Sequence, residues 1–276
     1  MIRYVAIGQY LPRDSPVHRL DPRTKIWAVA VLTVVIFLVR DFAGYGLLAL
    51  FLAAVVALAQ IPFGYLLGGL RPVQALLVLT IVLNVFFSGA EGTVLVRIGP
   101  LVATREGVVR AVFVGCRLIG LMLVTSLLTF TTSPMELTDG MERLLRPFRR
   151  VGVPADALAM MMTIALRFIP TLLEETEKIM KAQMARGAVF DRGSVLQRAR
   201  ALVPVLVPLF VSAFRRAEEL GLAMEARCYR VGERRTRMKQ LRLGLRDGVA
   251  LAVTLAAAVL FTVPAPTWVG LVRRIP

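Results

Sequence analysis

The chain has 276 residues, 57% of them hydrophobic, with a mean hydropathy of +0.70 and a formal net charge of +16. That hydropathy excludes an ordinary soluble domain. It also makes the basic excess a report on membrane orientation rather than a nucleic-acid surface, because Lys and Arg accumulate in cytoplasmic loops.

Long uncharged runs cover residues 26–39, 42–70, 72–90, 118–135 and 248–272, and several reach the roughly 18 residues that mark a membrane-spanning segment. Residues 1–25 are basic and turn-rich, with Ser15-Pro16 and Asp21-Pro22 as punctuation. Asp21 is placed to cap a helix whose first residue is Pro22. His18 is the only histidine and has no Cys or carboxylate cluster beside it, so a plain interfacial role is expected. The run at 26–39 has the length of a signal-peptide core, but 25 residues precede it and Arg40-Asp41 follow without a cleavage pattern. It is read as a retained first span.

Gly44 is expected to divide span one from span two, residues 46–61. Pro62, Gly64, Gly68-Gly69 and Arg71-Pro72 suggest a broken segment before span three, residues 73–87. The loop 88–110 carries Gly92, Gly99-Pro100 and Gly107, with a β-like piece at 93–98. Span four, residues 111–130, contains Arg117, a charge that must face protein, water or an interface and that snorkelling would accommodate. Thr131-Thr132-Ser133-Pro134 then introduces a short helix to Leu145, with Ser133 as N-cap, Pro134 at its first position and Glu136 completing a capping box.

Two long helical patterns follow, each beginning apolar, turning charged and ending in a similar motif. The first starts after Pro154, holds Ala165-Leu166-Arg167-Phe168-Ile169-Pro170, and closes on Gln183-Met184-Ala185-Arg186-Gly187. Glu174 with Lys178 and Glu177 with Lys181 stand at the i,i+4 spacing that supports a helix. Pro170 is expected to kink it, and Gly187 sits where a terminal glycine would end it. The second pattern runs from Ala201, with Pro204 and Pro208 near its start, through Arg215-Arg216-Ala217-Glu218-Glu219 to Ala226-Arg227-Cys228-Tyr229. A single arginine at a helix end only satisfies the helix dipole. Two, 41 residues apart in matching Ala-Arg motifs, read as paired anchors for carboxylates.

A basic run from Arg230 to Arg246 precedes the last span. With the N-terminus inside, 27 Lys and Arg fall in cytoplasmic segments and 6 outside, counting Arg273 and Arg274 in the tail. That bias makes the insertion between spans four and five cytoplasmic. The organisation expected is residues 1–130 as an N-terminal segment with spans one to four, 131–247 as a cytoplasmic module, and 248–276 as the last span and tail. The fold class is all-α and polytopic, with about five spans and two long crossed helices in a three-helix module.

Catalytic signatures are missing from the sequence: no phosphate-binding loop, no H-E-x-x-H and no G-x-S-x-G. Cys116 and Cys228 offer neither a disulfide framework nor a metal cluster. An integral-membrane enzyme using Glu174, Glu175, Glu177, Glu218, Glu219 or Glu225 on a lipid or phosphate substrate is the alternative, although these acids pair more simply with neighbouring Lys and Arg.

The segments 15–25, 131–134, 165–170, 183–187 and 223–229 together resemble the transmembrane T component of energy-coupling factor transporters, the EcfT family. The resemblance implies a non-catalytic subunit in the cytoplasmic (inner) membrane of the cell. It implies as partners two cytoplasmic ABC ATPases, which bind the ATP and Mg, and a small membrane-embedded S component that takes vitamins or trace metals. This chain would bind no cofactor or metal of its own. Ala185, Arg186 and Gly187, and Ala226, Arg227 and Cys228, would dock on the ATPases, with Cys228 standing where the family has glycine.

Overall fold

A computed structural model describes residues 10–39, 41–87, 94–98, 101–152, 154–190, 194–230 and 243–262. In order they form α1 (Pro22–Leu38), α2 (Phe42–Ala59), α3 (Phe63–Phe87), β1 (Val94–Ile98), β2 (Leu101–Thr104), α4 (Arg105–Thr131), α5 (Pro134–Leu145), a 3-10 turn (Arg146–Val151), α6 (Ala155–Ala185), α7 (Val195–Ala226) and α8 (Leu245–Thr262). The β-like piece expected at 93–98 is β1, paired antiparallel with β2 and carrying an irregularity between Val94 and Val96. The chain is an all-α polytopic membrane protein with this one short hairpin among its described residues.

The described residues divide into two compact units, one from the range 8–140 with 241–276 and the other from 141–240. In the first, α1, α2, α4 and α8 share a core. Leu32, Val35, Ile36 and Val39 recur at helical spacing on α1, and Leu48, Leu52, Val56 and Ala59 do so on α2. Val124, Leu127 and Phe130 of α4 join them, with Ala258 and Phe261 of α8. The other faces are just as apolar: Trp27, Val34 and Phe37 of α1 and Leu50 of α2 are more than half exposed. Helices apolar on every side are stable where the surroundings are hydrocarbon.

The ends of these helices are tied by a buried polar knot. Asp21 caps α1 as expected, accepting from the Arg23 N–H at 3.0 Å, with Pro22 at the first helical position. Its own N–H donates to Asp247 Oδ1 at 2.8 Å, and Asp247 Oδ2 accepts from Gly244 N–H at 2.8 Å, so one carboxylate joins the starts of α1 and α8. Lys25, expected only as a basic flank, is 5% exposed. It donates to the carbonyls of His18 at 3.0 Å and Thr131 at 2.7 Å. Thr131 ends α4, so the ammonium meets an orphan carbonyl at the negative end of a helix dipole. Burial pushes the Lys25 pKa down to about 8, against the opposing pull of Glu136, Asp21 and Asp247.

His18 Nε2 lies 3.1 Å from the Leu11 carbonyl and Nδ1 lies 2.7 Å from Ser15 Oγ. The carbonyl requires an Nε2–H donor, leaving Nδ1 to accept from the hydroxyl. Burial and Lys25 lower the His18 pKa, which favours this neutral form. The capping box of α5 forms as expected, with Ser133 N–H donating to Glu136 Oε2 at 3.4 Å and Glu136 N–H to Ser133 Oγ at 3.3 Å. At Gly140 the chains approach closely: a Cβ there would meet Pro22 Cβ at 3.0 Å.

Several sequence expectations are corrected. Gly44 does not divide two spans; it lies inside α2, where an added Cβ would meet the Phe261 carbonyl oxygen at 3.0 Å. Of the expected broken segment, only the start is a break: Gln60-Ile61-Pro62 separate α2 from α3, and α3 continues through Gly64, Gly68-Gly69 and Arg71-Pro72. In an apolar medium a break strands backbone polar groups, so Gly and Pro are carried within the helix. Span four starts earlier, at Arg105, because Thr104 caps it by accepting from Gly107 N–H at 3.1 Å.

Among the described residues, five helices are long and apolar enough to cross a membrane: α2, α4, α6, α7 and α8. Two of these, α6 and α7, fall in the stretch 131–247 that the sequence reading assigns to the cytoplasmic module. α1 has 17 residues, and α3, 25 residues long, holds the apolar stretch Val73–Phe86. α6 and α7 qualify because each has an apolar half. The loop residues Gly92 and Gly99-Pro100, most of the Arg230–Arg246 run, and the tail with Arg273 and Arg274 lie outside the described residues.

Candidate functional site

The second unit is built on α6 and α7. α6 follows Pro154 and has Asp156 in its first turn, 3.9 Å from Arg146. α7 begins at Val195, six residues before the start read from sequence. Ser194 and Gln197 form a capping box, with Ser194 N–H donating to Gln197 Oε1 at 2.9 Å and Gln197 N–H to Ser194 Oγ at 3.4 Å. Both helices pass through internal prolines, Pro170 in α6 and Pro204 and Pro208 in α7.

Among the described residues, the side chains of α6 that bridge to α7 include Phe168, Glu175 and Gln183. Glu175 accepts from the Ser212 hydroxyl and from Arg216 Nη2, the latter at 3.2 Å. The Arg216 guanidinium also lies 5.9 Å from the centre of the Phe168 ring. Gln183 Nε2 donates to the Pro204 carbonyl at 3.4 Å. That carbonyl would ordinarily accept from the N–H four residues on, but residue 208 is proline and has none. Gln183 therefore fills a vacancy that proline creates. Rising α6 numbers meet falling α7 numbers, so the pair is antiparallel.

The sequence-derived supports stand elsewhere. Glu174, Lys178 and Lys181 are exposed and Glu177 is half-buried. Neither expected i,i+4 pair closes to an ion pair, and Arg216 pairs with Glu175. The physical reason is size of effect: an exposed helical pair is worth about 0.3–0.5 kcal/mol and must also hold two long side chains still. The half-buried site against Ser212 and Phe168 offers Arg216 more.

The two Ala-Arg motifs fold alike. In α6, Gly187 N–H donates to Met184 O and Ala188 N–H to Gln183 O, both at 3.0 Å. In α7, Cys228 N–H donates to Glu225 O at 2.8 Å and Tyr229 N–H to Met224 O at 2.9 Å. Each is a Schellman motif, with arginine at the C-cap and the next residue left-handed. Gly187 has φ +89° and Cys228 has φ +56°. Cys228 thus takes the backbone that glycine supplies at the first cap, although it carries a Cβ. Arg186, Arg227 and their neighbours Ala185, Gly187, Ala226 and Cys228 are all exposed. Among the described residues neither guanidinium has an ion-pair or hydrogen-bond partner. Because Gln183 lies beside Pro204, the 23 residues from Pro204 to Arg227 set the two motifs at opposite ends of the pair. That is about 35 Å of helix.

A model of the cobalt transport protein family matches residues 13–239. A protein of Thermosediminibacter oceani is 59% identical over 253 residues, covering 92% of this chain and 95% of its own. One of Clostridium kluyveri is 52% identical over 250 residues (91% and 93%), and one of Bacillus subtilis is 47% identical over 262 residues (95% and 98%). All three are described as the energy-coupling factor transporter transmembrane protein EcfT. The chain belongs to the EcfT family.

As an EcfT-family chain it is a transmembrane component of a transporter, and with five apolar helices it is a multi-pass membrane protein. The family match takes in every motif that carried the resemblance, from Ser15 to Tyr229. Sequence reasoning missed the Glu175, Ser212 and Arg216 cluster and the Gln183 bridge. The signal for the bridge was present: Pro204 and Pro208 stand four apart, so one deprives the other's carbonyl of its partner. Among the described residues no group of His, Cys, Asp and Glu is gathered as a metal site.

Proposed function

We propose that this EcfT-family chain is the non-catalytic coupling subunit of an energy-coupling factor importer. Two cytoplasmic ABC ATPase subunits, which bind ATP and Mg, dock on its two arginine caps, one at Ala185-Arg186-Gly187 and one at Ala226-Arg227-Cys228. The observation that carries this reading is the pair of matching Schellman caps at opposite ends of one antiparallel helix pair, each exposing an unpaired guanidinium. A separation of tens of ångströms suits two partners rather than one small ligand.

Residues 131–247 are then the cytoplasmic coupling module, between spans in 1–130 and a last span in 248–276, with the N-terminus on the cytoplasmic side of the cell membrane. The positive-charge bias supports this side. Motion at the caps travels through α6 and α7 as a lever to the exposed stripe Val203, Leu206, Val207, Phe210, Val211 and Phe214, which recurs at helical spacing. A small S component carrying a vitamin or trace metal rests there, because an apolar stripe of this length needs an apolar cover.

Copurification of both ATPases with Arg186→Glu, Arg227→Glu and the double variant, alongside substrate uptake, tests the docking. Truncating one partner of a desolvated charge pair costs ~2–5 kcal/mol, and charge reversal adds repulsion. Each single variant is expected to insert normally and lose association, with lysine rescuing only in part because it lacks the planar fork. Wild-type assembly and uptake by the double variant would sink the assignment. Turnover of a lipid or phosphate substrate by the isolated chain, abolished at Glu174 or Glu177, would favour the enzyme alternative instead.

A further inference from the structure

One side of α4 forms an open cavity of about 650 Å³ in which Arg105, Arg110 and Arg117 stand among Val109, Phe113 and Val114. Arg105 to Arg110 is under two turns, and Arg117 lies about 10 Å further along the helix, where the uncharged run beginning at Leu118 takes over. The arginines thus descend from the first turn of α4 into the span, where Arg117 lies. Glu106 is the one acid on this wall, against three guanidinium groups.

Among the described residues the three guanidinium groups exceed the acid on this wall by two charges. Arg105 and Arg110 are exposed and form no ion pair among the described residues. Arg117 has one face 5.2 Å from the centre of the Phe37 ring, yet its Nε is buried with no hydrogen-bond partner. Simple snorkelling would carry such a group to water, whereas a buried unpaired N–H calls for an acceptor at that depth. Phe113 is held in place by edge contacts to Phe42 at 4.7 Å and Tyr45 at 5.2 Å, so the apolar wall is fixed.

We infer that this cavity binds an anionic phospholipid, its phosphate held between Arg110 and Arg117 and its acyl chain laid along Val109, Phe113 and Val114. A guanidinium pair matches phosphate oxygens in charge and geometry. Basic side chains at a membrane surface attract anionic head groups by charge. The half-apolar lining favours a lipid over a free anion. This assignment is independent of how the arginine caps are used.

The test is native mass spectrometry of the full chain, purified in neutral detergent and titrated with phosphatidylglycerol or phosphatidylcholine. Preferential retention of phosphatidylglycerol is expected. R110Q/R117Q should weaken it by about tenfold or more, toward the phosphatidylcholine level, and R110K/R117K should recover part of the loss. R198Q/R200Q removes the same charge from exposed positions of α7 and should change nothing. Circular dichroism checks that each variant keeps its helices, and R110Q alone, at an exposed position, gives a milder second reading. Three results would overturn the site: undiminished phosphatidylglycerol retention by R110Q/R117Q, an equal loss in R198Q/R200Q, or displacement of the lipid by equimolar inorganic phosphate.

Discussion

The matched caps of α6 and α7 allow an internal comparison, because the same turn is made once with glycine and once with cysteine. A residue with a Cβ in the left-handed region is disfavoured by roughly 1–2 kcal/mol. Cys228, at φ +56°, carries that penalty and Gly187, at φ +89°, does not. Replacing Cys228 by glycine removes it, while the looser unfolded chain takes back about 0.4–1 kcal/mol. The net gain is about 0.5–1 kcal/mol. Gly187→Ala should lose a similar amount through the backbone alone, since no heavy atom lies within 4 Å of the added Cβ. Amide hydrogen exchange at the cap reads this directly. The N–H groups of Cys228 and Tyr229 close the second motif, and those of Gly187 and Ala188 close the first. Exchange should slow about two- to fivefold at the second cap in Cys228→Gly and accelerate comparably at the first in Gly187→Ala. Cys228→Ala keeps the Cβ and should be silent. Faster exchange in Cys228→Gly, or a marked change in Cys228→Ala, would show that the thiol rather than the backbone sets this cap.

The bridge between α6 and α7 predicts a coupling of about 1 kcal/mol between Glu175→Gln and Arg216→Gln in a double-mutant cycle of thermal stability. The same cycle on Glu174 and Lys178 should give under about 0.5 kcal/mol, and equal coupling in both would remove the special standing of Glu175. At the knot, Lys25→Met strands two carbonyls beside Asp21 and Asp247 and should destabilise by ~3 kcal/mol; a wild-type melting temperature would contradict the burial argument. Between about pH 8 and its ordinary 10.5, Lys25 is protonated in the unfolded chain but not in the folded one. Stability should therefore rise with pH across that window, by at most ~1.4 kcal/mol per pH unit, and this slope should be absent in Lys25→Met.

What could be read from sequence was local. Asp21-Pro22 and Ser133-Pro134 with Glu136 announce their helices because donor, acceptor and ring constraint sit within four residues. Gly187 marks a helix end for the same reason. The start of α7 was equally local, yet Arg198 and Arg200 beside the Ser194 and Gln197 box interrupt the apolar pattern and hid it. The left-handed turn at Cys228 could not be read from its side chain, since cysteine disfavours it; the two backbone hydrogen bonds that close the turn outweigh that preference. Nor could local spacing find the partners of Glu175, 37 and 41 residues away. The i,i+4 rule proposed nearer pairs for its neighbours, and tertiary contact decided otherwise. Lys25 shows the same limit, because a charge that flanks a span in sequence is buried once α4 ends and α8 begins beside it.

The two prolines of α7 also distribute its stiffness unevenly. A helix resists bending through its ladder of backbone hydrogen bonds, and Pro204 and Pro208 each remove one rung. The missing rungs lie in the first half of α7, and one freed carbonyl is held by Gln183 of the other helix. From Pro208 to Ala226 no further proline interrupts the ladder. Compliance is therefore concentrated near Pro204, while the arm ending in Arg227 is rigid over roughly 27 Å. A displacement applied at Arg227 reaches the proline region with little lost along the way, and what flexing occurs is taken up beside Gln183, three residues before Arg186. The two ends of the pair are thus mechanically unlike: one is a rigid tip, and the other adjoins the point of greatest give.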